Sequence, residues 1–358
     1  MTYHRKLTAL SVLLAVVALA TLFAAGANAD FLQGQVPKFK QAPMIGTQVG
    51  VDVNGIPAIF NGHDELSTAW LSTPLPPQPG VDPEYRGVSM ADDFADNFDS
   101  PVVHVTWWGS YLNNNINSNQ LVTKFLIAFE EDVPAGQLGP DGNTFPFSRP
   151  GKVLSTQIVD LVPALAPGSG TYTEQLVAAN PVEDIYKYNA ELFFDKQFPQ
   201  VRDEIYWLKI VALIDAPQTG TTLDTQWGWH NRDYTISNPL AAAVVPGEVD
   251  EQPLIDPLYP TEVWHFQDDA VESNVTITLD AVNLNVPDVV QENPIPKFYV
   301  DDLDGPGPIL PLGSGHNGIK RFSKDLAFEL YTVPEPATCM LLMIGLVAMA
   351  KGTRRQLM

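Results

Sequence analysis

The chain has 358 residues, 45% of them hydrophobic and 17% charged, with 31 Pro, 25 Gly and a formal net charge of −22. That charge excludes nucleic-acid binding, which relies on Lys and Arg neutralising phosphates. One cysteine, Cys339, excludes a disulfide framework and a zinc site of several thiolates, and so many prolines argue against helical repeats and coiled coils.

The N-terminus has the layout of a secretory signal peptide. His4, Arg5 and Lys6 precede an apolar stretch from Leu7 to Ala25. Ala27-Asn28-Ala29 then puts small residues where a signal peptidase needs them, so the mature chain is expected to begin at Asp30. An uncleaved membrane anchor is the alternative, since the stretch approaches the roughly 20 residues of a span.

The exported body is expected to cover residues 30–332. It holds 15 Lys and Arg against 41 Asp and Glu, a net charge of −26, most simply a well-solvated extracytoplasmic surface. β-branched and aromatic runs bounded by turn residues predict strands at 102–108, 124–130, 152–159, 192–194, 205–214, 275–279 and 327–331. Asn113 to Asn119 is a polar loop, and no segment of the body keeps a helical period. Short strands without alternating helices point to a mainly β, antiparallel, jelly-roll-like β-sandwich. It could be one sandwich or two, with a boundary near 239–260.

At the C-terminus, Val333-Pro334-Glu335-Pro336 precedes an apolar run from Cys339 to Ala350 and a basic end with Lys351, Arg354 and Arg355. Two prolines this close keep the backbone extended and open to a processing enzyme. From Pro336 the uncharged stretch is about 15 residues, slightly short of a full span, and the basic residues would stay in the cytoplasm. These three parts, in this order over residues 333–358, resemble the PEP-CTERM sorting signal. The resemblance implies secretion and transient anchoring in the inner membrane by a C-terminal transmembrane helix. It also implies processing by an exosortase, a membrane-embedded cysteine protease-transpeptidase, and bacteria that make exopolysaccharide and biofilm.

Ala91-Asp92-Asp93-Phe94, Val105-Thr106-Trp107-Trp108-Gly109-Ser110-Tyr111, Tyr206-Trp207-Leu208 and Gly228-Trp229-His230 resemble an uncharacterised module of exported bacterial proteins of planctomycete type. That resemblance implies no activity for any residue.

Catalytic signatures are missing from the body sequence. There is no G-x-S-x-G elbow, the lone Cys lies in the tail, and His63, His104, His230, His265 and His316 form no H-E-x-x-H. A Ser-His-Asp set assembled from distant positions stays open. Asp301-Asp302-Leu303-Asp304-Gly305 offers oxygen ligands at alternate positions for Ca²⁺ but lacks the rest of an EF-hand loop, so an acidic turn is the simpler reading. No other cofactor is indicated. Trp107, Trp108, Trp229 and Trp264 stand beside polar residues, a pattern that suits stacking on sugar rings as well as a β core. Adjacent Trp107 and Trp108 must point to opposite sheet faces. The sequence thus favours a non-catalytic exported envelope or biofilm-matrix protein. A carbohydrate-binding module acting on exopolysaccharide is the alternative, and a secreted glycan hydrolase the third reading.

Overall fold

The computed structural model describes residues 34–51, 55–72, 82–96, 99–134, 136–140, 142–144, 148–161, 172–179, 183–233, 240–241, 254–255, 262–263, 270–279, 287–294 and 325–333. The chain from Gln35 onward is one compact unit. Its first strands are β1 (Val36–Gln41), β2 (Thr47–Val51), β3 (Pro57–Phe60), β4 (Asp64–Leu66), β5 (Thr68–Leu71), β6 (Glu84–Phe94) and β7 (His104–Tyr111). The middle of the chain gives β8 (Val122–Val133), β9 (Arg149–Asp160), β10 (Tyr172–Ala178), β11 (Ile185–Glu191), β12 (Tyr206–Ile214) and β13 (Trp227–His230). The last strands are β14 (Leu240–Ala241), β15 (Leu254–Ile255), β16 (Glu262–Val263), β17 (Val271–Leu279), β18 (Pro287–Pro294) and β19 (Phe328–Thr332).

Two sheets carry the fold. The first runs β10-β11-β7-β19-β1-β14, with β13 bridging β7 and β4. The second runs β18-β17-β6-β5-β12-β8-β9, and β6 also pairs with β12. β2 with β3, and β15 with β16, form small separate hairpins. The two large sheets meet through aromatic rings: Trp107 of β7 lies 5.2 Å from Phe125 of β8, and Phe94 of β6 lies 6.4 Å from Phe328 of β19. Offset and edge-on rings of this kind pack densely and favour a defined geometry over a fluid core. The expected β-rich, two-sheet body is therefore present.

One feature departs from the antiparallel expectation. β5 pairs parallel with β12 through Thr68, Ala69 and Trp70, because it is wedged between β12 and the first half of β6. Gly87 permits the wedge: a Cβ there would lie 2.0 Å from the Thr68 carbonyl oxygen. Another departure concerns burial, which does not alternate along the central strands. All nine residues of β12 are buried. Leu208, Ile210, Ala212 and Ile214 face the core between the sheets, while Val211 and Leu213 join a second cluster on the opposite face with Leu126 and Ile158.

The strand expected at Leu192–Phe194 is corrected. Phe194–Lys196 is a 3-10 turn; the Phe193 N–H donates to the Gln157 side chain and the Lys196 N–H closes back on the Phe193 carbonyl, so no ladder continues. Among the described residues no helix is long and apolar enough to cross a membrane. The expected signal and tail helices lie outside them.

Candidate functional site

β19 is held from both sides. It pairs with β1 on one side and β7 on the other, and all five of its residues are buried. Phe328 and Leu330 enter the main core. The approach to the strand is held by Asp92, a wholly buried carboxylate on β6 that accepts the Leu326 N–H at 2.6 Å. Such a charge-assisted bond offsets the desolvation that a buried carboxylate would otherwise suffer. One residue beyond Thr332, Val333 is half exposed. Pro334, Glu335 and Pro336 follow and lie outside the described residues, as do Lys351, Arg354, Arg355, Ala27, Ala29, Asp30, Trp264, Asp301, Asp302 and Asp304.

Backbone bonds identify what surrounds this exit. The Val103 N–H donates to Tyr331 O at 2.8 Å, the Leu192 N–H to Val103 O at 2.9 Å, and the Val102 N–H to Phe198 O at 2.9 Å. The 192–204 segment is thereby fastened beside the end of β19. Beneath it lies a buried amine: Lys38 donates to Ser100 O at 2.5 Å and sits 3.4 Å from Asp96. Burial pushes the Lys38 amine below its ordinary range, against the opposing pull of Asp96 and Asp99.

An open groove of about 700 Å³ flanks the same segment. Phe198 and Tyr206 form part of its wall, and Glu131, Asp132, Asp203 and Glu204 bring carboxylates. The wall is rigid. Phe198 stacks on Phe129 at 4.5 Å, Tyr206 meets Phe198 edge-on at 5.0 Å, and the Tyr206 hydroxyl accepts the Val201 N–H. Trp207 Nε1 donates to Asp132 at 2.8 Å and orients that carboxylate. Asp203 has a left-handed backbone, φ 61°, a conformation Asp tolerates better than most residues. Four residues before Phe198 in the same segment, Phe194 is 89% exposed. The Phe193-Phe194 doublet in a Pro- and Asp-rich segment was the available sequence signal for this surface.

Three of the four tryptophans singled out for sugar stacking are core residues. Trp107 and Trp229 have no exposed surface; Trp107 stacks on Tyr188 and Trp229 packs edge-on to Phe328. Trp108 points to the other face of β7, as alternation requires, and is nearly buried with Ile185 and Ala327 under the Lys187 ammonium. None of the three presents a ring face to a ligand. Gly109 belongs to this packing, because a Cβ there would come within 2.3 Å of the Trp227 ring.

Ser, His and Asp do meet, in an order that gives no activated nucleophile. Asp64 accepts from Ser110 Oγ at 2.8 Å and lies 3.0 Å from His230 Nδ1. The other ring nitrogen of His230 faces the Met44 carbonyl at 3.0 Å. The carboxylate stands between hydroxyl and imidazole, so His230 has no path to the Ser110 proton; the cluster ties β4, β7 and β13 together. Among the described residues, no group of three or more His, Cys, Asp or Glu could hold a metal ion.

At the opposite end of the sheets the expected Asn loop is laced to residues 217–225. Asn117 N–H donates to Thr225 Oγ1 at 2.8 Å, Thr225 N–H to Gln120 Oε1 at 2.9 Å, and Gln120 Nε2 to Asp224 at 2.8 Å. Asp224 also gathers Thr219 and Gly220. Burial pushes its carboxyl up, but these bonds outweigh it and hold the group at about 2.

Two family models match the chain. One, described as Domain of unknown function (DUF7901), covers residues 68–274, and the other, described as PEP-CTERM protein-sorting motif, covers residues 332–356. No curated protein and no solved structure matches.

Proposed function

The chain belongs to the DUF7901 family and carries a PEP-CTERM motif, and from that premise we propose that it is a non-catalytic protein of the cell envelope or biofilm matrix. The motif marks an exported protein sorted by an exosortase. The observation that carries the proposal is the continuity of β19 with that motif. A central strand, buried and paired on both sides, runs into the sorting sequence after Thr332. The matched motif thus begins at the last residue of a strand fixed in the core of the body, which suits a body whose task is to be displayed.

In this reading residues 1–29 are a signal peptide, residues 30–332 are the displayed body, and residues 333–358 hold it in the inner membrane until processing. The acidic surface keeps the body solvated among other envelope components. Exopolysaccharide binding finds less support, because Trp107, Trp108 and Trp229 are core residues.

The test is fractionation of a host that carries an exosortase, with the protein tagged just after Asp30. The wild type should leave the inner membrane in a processed form and become accessible to external protease. Replacing Pro334, Glu335 and Pro336 with Ala should leave full-length protein in the inner membrane. Identical mass and fraction for the two chains would overturn the reading.

A further inference from the structure

We propose that the end of the body from which the tail emerges is itself a docking surface for the processing exosortase, so that the enzyme engages the folded body together with the Pro334–Pro336 motif. The proposal rests on the sorting reading above and extends it to the body.

The first argument is reach. Thr332 is buried in β19, paired with Val36, and Pro334 is two residues further on. Two extended residues span at most about 7 Å. An enzyme that closes on Pro334–Pro336 therefore has its surface against whatever the body displays around Thr332.

The second argument is what is displayed there. The bonds from Tyr331 through Val103 to Leu192 place the 192–204 segment at the exit. That segment presents Phe194 at 89%, Val201 at 53% and Phe193 at 38% exposure, and Val333 adds 52%. A phenylalanine left in water forgoes the stabilisation its burial would give, and at this place a partner can supply that burial. The groove beside it brings the carboxylates of Glu131, Asp203 and Glu204. An apolar centre with a charged rim is the anatomy of a protein interface. Charge selects among occupants. An acidic rim on a body of net charge −26 is repelled by anionic headgroups and by a second copy of itself. It is matched by an enzyme surface with an apolar pocket bordered by Lys and Arg.

The experiment follows full-length protein, tagged after Asp30, by pulse-chase in a host carrying an exosortase. The variant combines Phe194→Ser, Glu131→Gln and Glu204→Gln, all at exposed positions. Processing should slow about five- to tenfold, the effect of losing one anchor and its rim charges, with the same amount exported and the same melting temperature. Leu223→Ser, at an exposed position on the opposite end, should be processed at the wild-type rate. A triple variant processed as fast as wild type overturns the proposal, as does an equal slowing by Leu223→Ser. If the variant only converts a dimer to a monomer on size exclusion, the occupant is a second copy and the proposal fails. Replacing Pro334, Glu335 and Pro336 with Ala tests the sorting reading separately, since unchanged processing there removes the exosortase premise itself.

Discussion

Where β7 finishes, the loops at 112–120 and 217–225 satisfy one another: Asn117, Gln120 and Asp224 bond across more than a hundred residues of chain. Where β19 leaves, the 192–204 segment is tied to residues 96–102 through Phe198, Asp203 and the exposed Arg202–Asp99 pair, yet Phe194 stands in water. Both ends cap the same two sheets, so the sheets do not account for the difference. A loop closed by its own hydrogen bonds has few polar groups left to offer a partner, although Leu223 there is exposed. A fastened loop with an aromatic ring outward retains a larger apolar group. The first end is closed by polar bonds, and the second leaves an aromatic ring uncovered.

The contrast predicts where the fold is most easily broken. Phe328 of β19 has no exposed surface and touches the rings of Phe39, Phe94 and Trp229. Phe328→Ala should cost roughly 3–5 kcal/mol, read as a shift in the denaturant midpoint. A loss below about 1 kcal/mol would mean that the exit strand is packed more loosely than its burial implies.

The core between the sheets should yield to alkali. Burial pushes the hydroxyls of Tyr111, Tyr172 and Tyr188 above their ordinary range, and the Tyr111 hydroxyl also donates to Glu174. Their folded pKa values are raised, so the stability they contribute is complete below the unfolded value of 10.0 and is lost as pH climbs above it. Each can remove up to about 1.4 kcal/mol per pH unit, or about 4 kcal/mol for the three by pH 11. Tyrosinate absorbance should appear together with unfolding. Appearance well before unfolding would show these rings to be wet.

Gly109→Ala should follow at roughly 1–3 kcal/mol, because the added methyl meets the Trp227 ring and the Gly228 carbonyl oxygen at 2.3 and 2.4 Å. Near-ultraviolet circular dichroism should report the displaced indole. An unchanged spectrum and midpoint would mean that Trp227 moves aside freely.

Much of the framework was legible in the sequence. The runs at 102–108, 124–130, 152–159, 205–214, 275–279 and 327–331 all fall on strands, β7, β8, β9, β12, β17 and β19, since they are bulky, β-branched and bounded by turn residues. β6 and β11 were not legible. Their polar residues, such as Asp92 and Asn189, are satisfied by partners far along the chain, Leu326 and Thr106, and no local pattern announces a distant donor. For the same reason the Phe193-Phe194 doublet read as a strand. Exposure depends on what the rest of the fold leaves uncovered, and two apolar residues in a row do not reveal that. The sorting motif was legible because its parts are adjacent in sequence.

Asp224 sharpens the closed end under acid. Its folded pKa of about 2 lies below the ordinary 3.8, so its contribution is present above 3.8 and is lost as pH falls toward 2. Amide exchange in 219–225 should accelerate between those values while the core strands stay protected. Asp224→Asn should exchange faster at pH 5 and show no such acid step. A wild-type loop indifferent to pH over this range would mean that the carboxylate does not hold it.

The smallest effect on stability is expected at the open end, and it bears most directly on the comparison. Phe194 and Phe198 are four residues apart in one segment, yet Phe198 is 2% exposed and Phe194 is 89% exposed. Phe198 stacks on Phe129 and meets Phe94 and Tyr206, so its removal should resemble other core truncations at roughly 3–5 kcal/mol. Phe194→Ser takes little apolar surface out of a packed environment and should leave the midpoint within about 0.5 kcal/mol of wild type. Parallel denaturation curves of the two single variants provide the measurement. If Phe194→Ser cost as much as Phe198→Ala, the ring would belong to the packing of the body, and the exit would be as closed as the far end. If it costs nothing, the body has no structural use for an aromatic side chain at that position, and its use must be sought in what binds there.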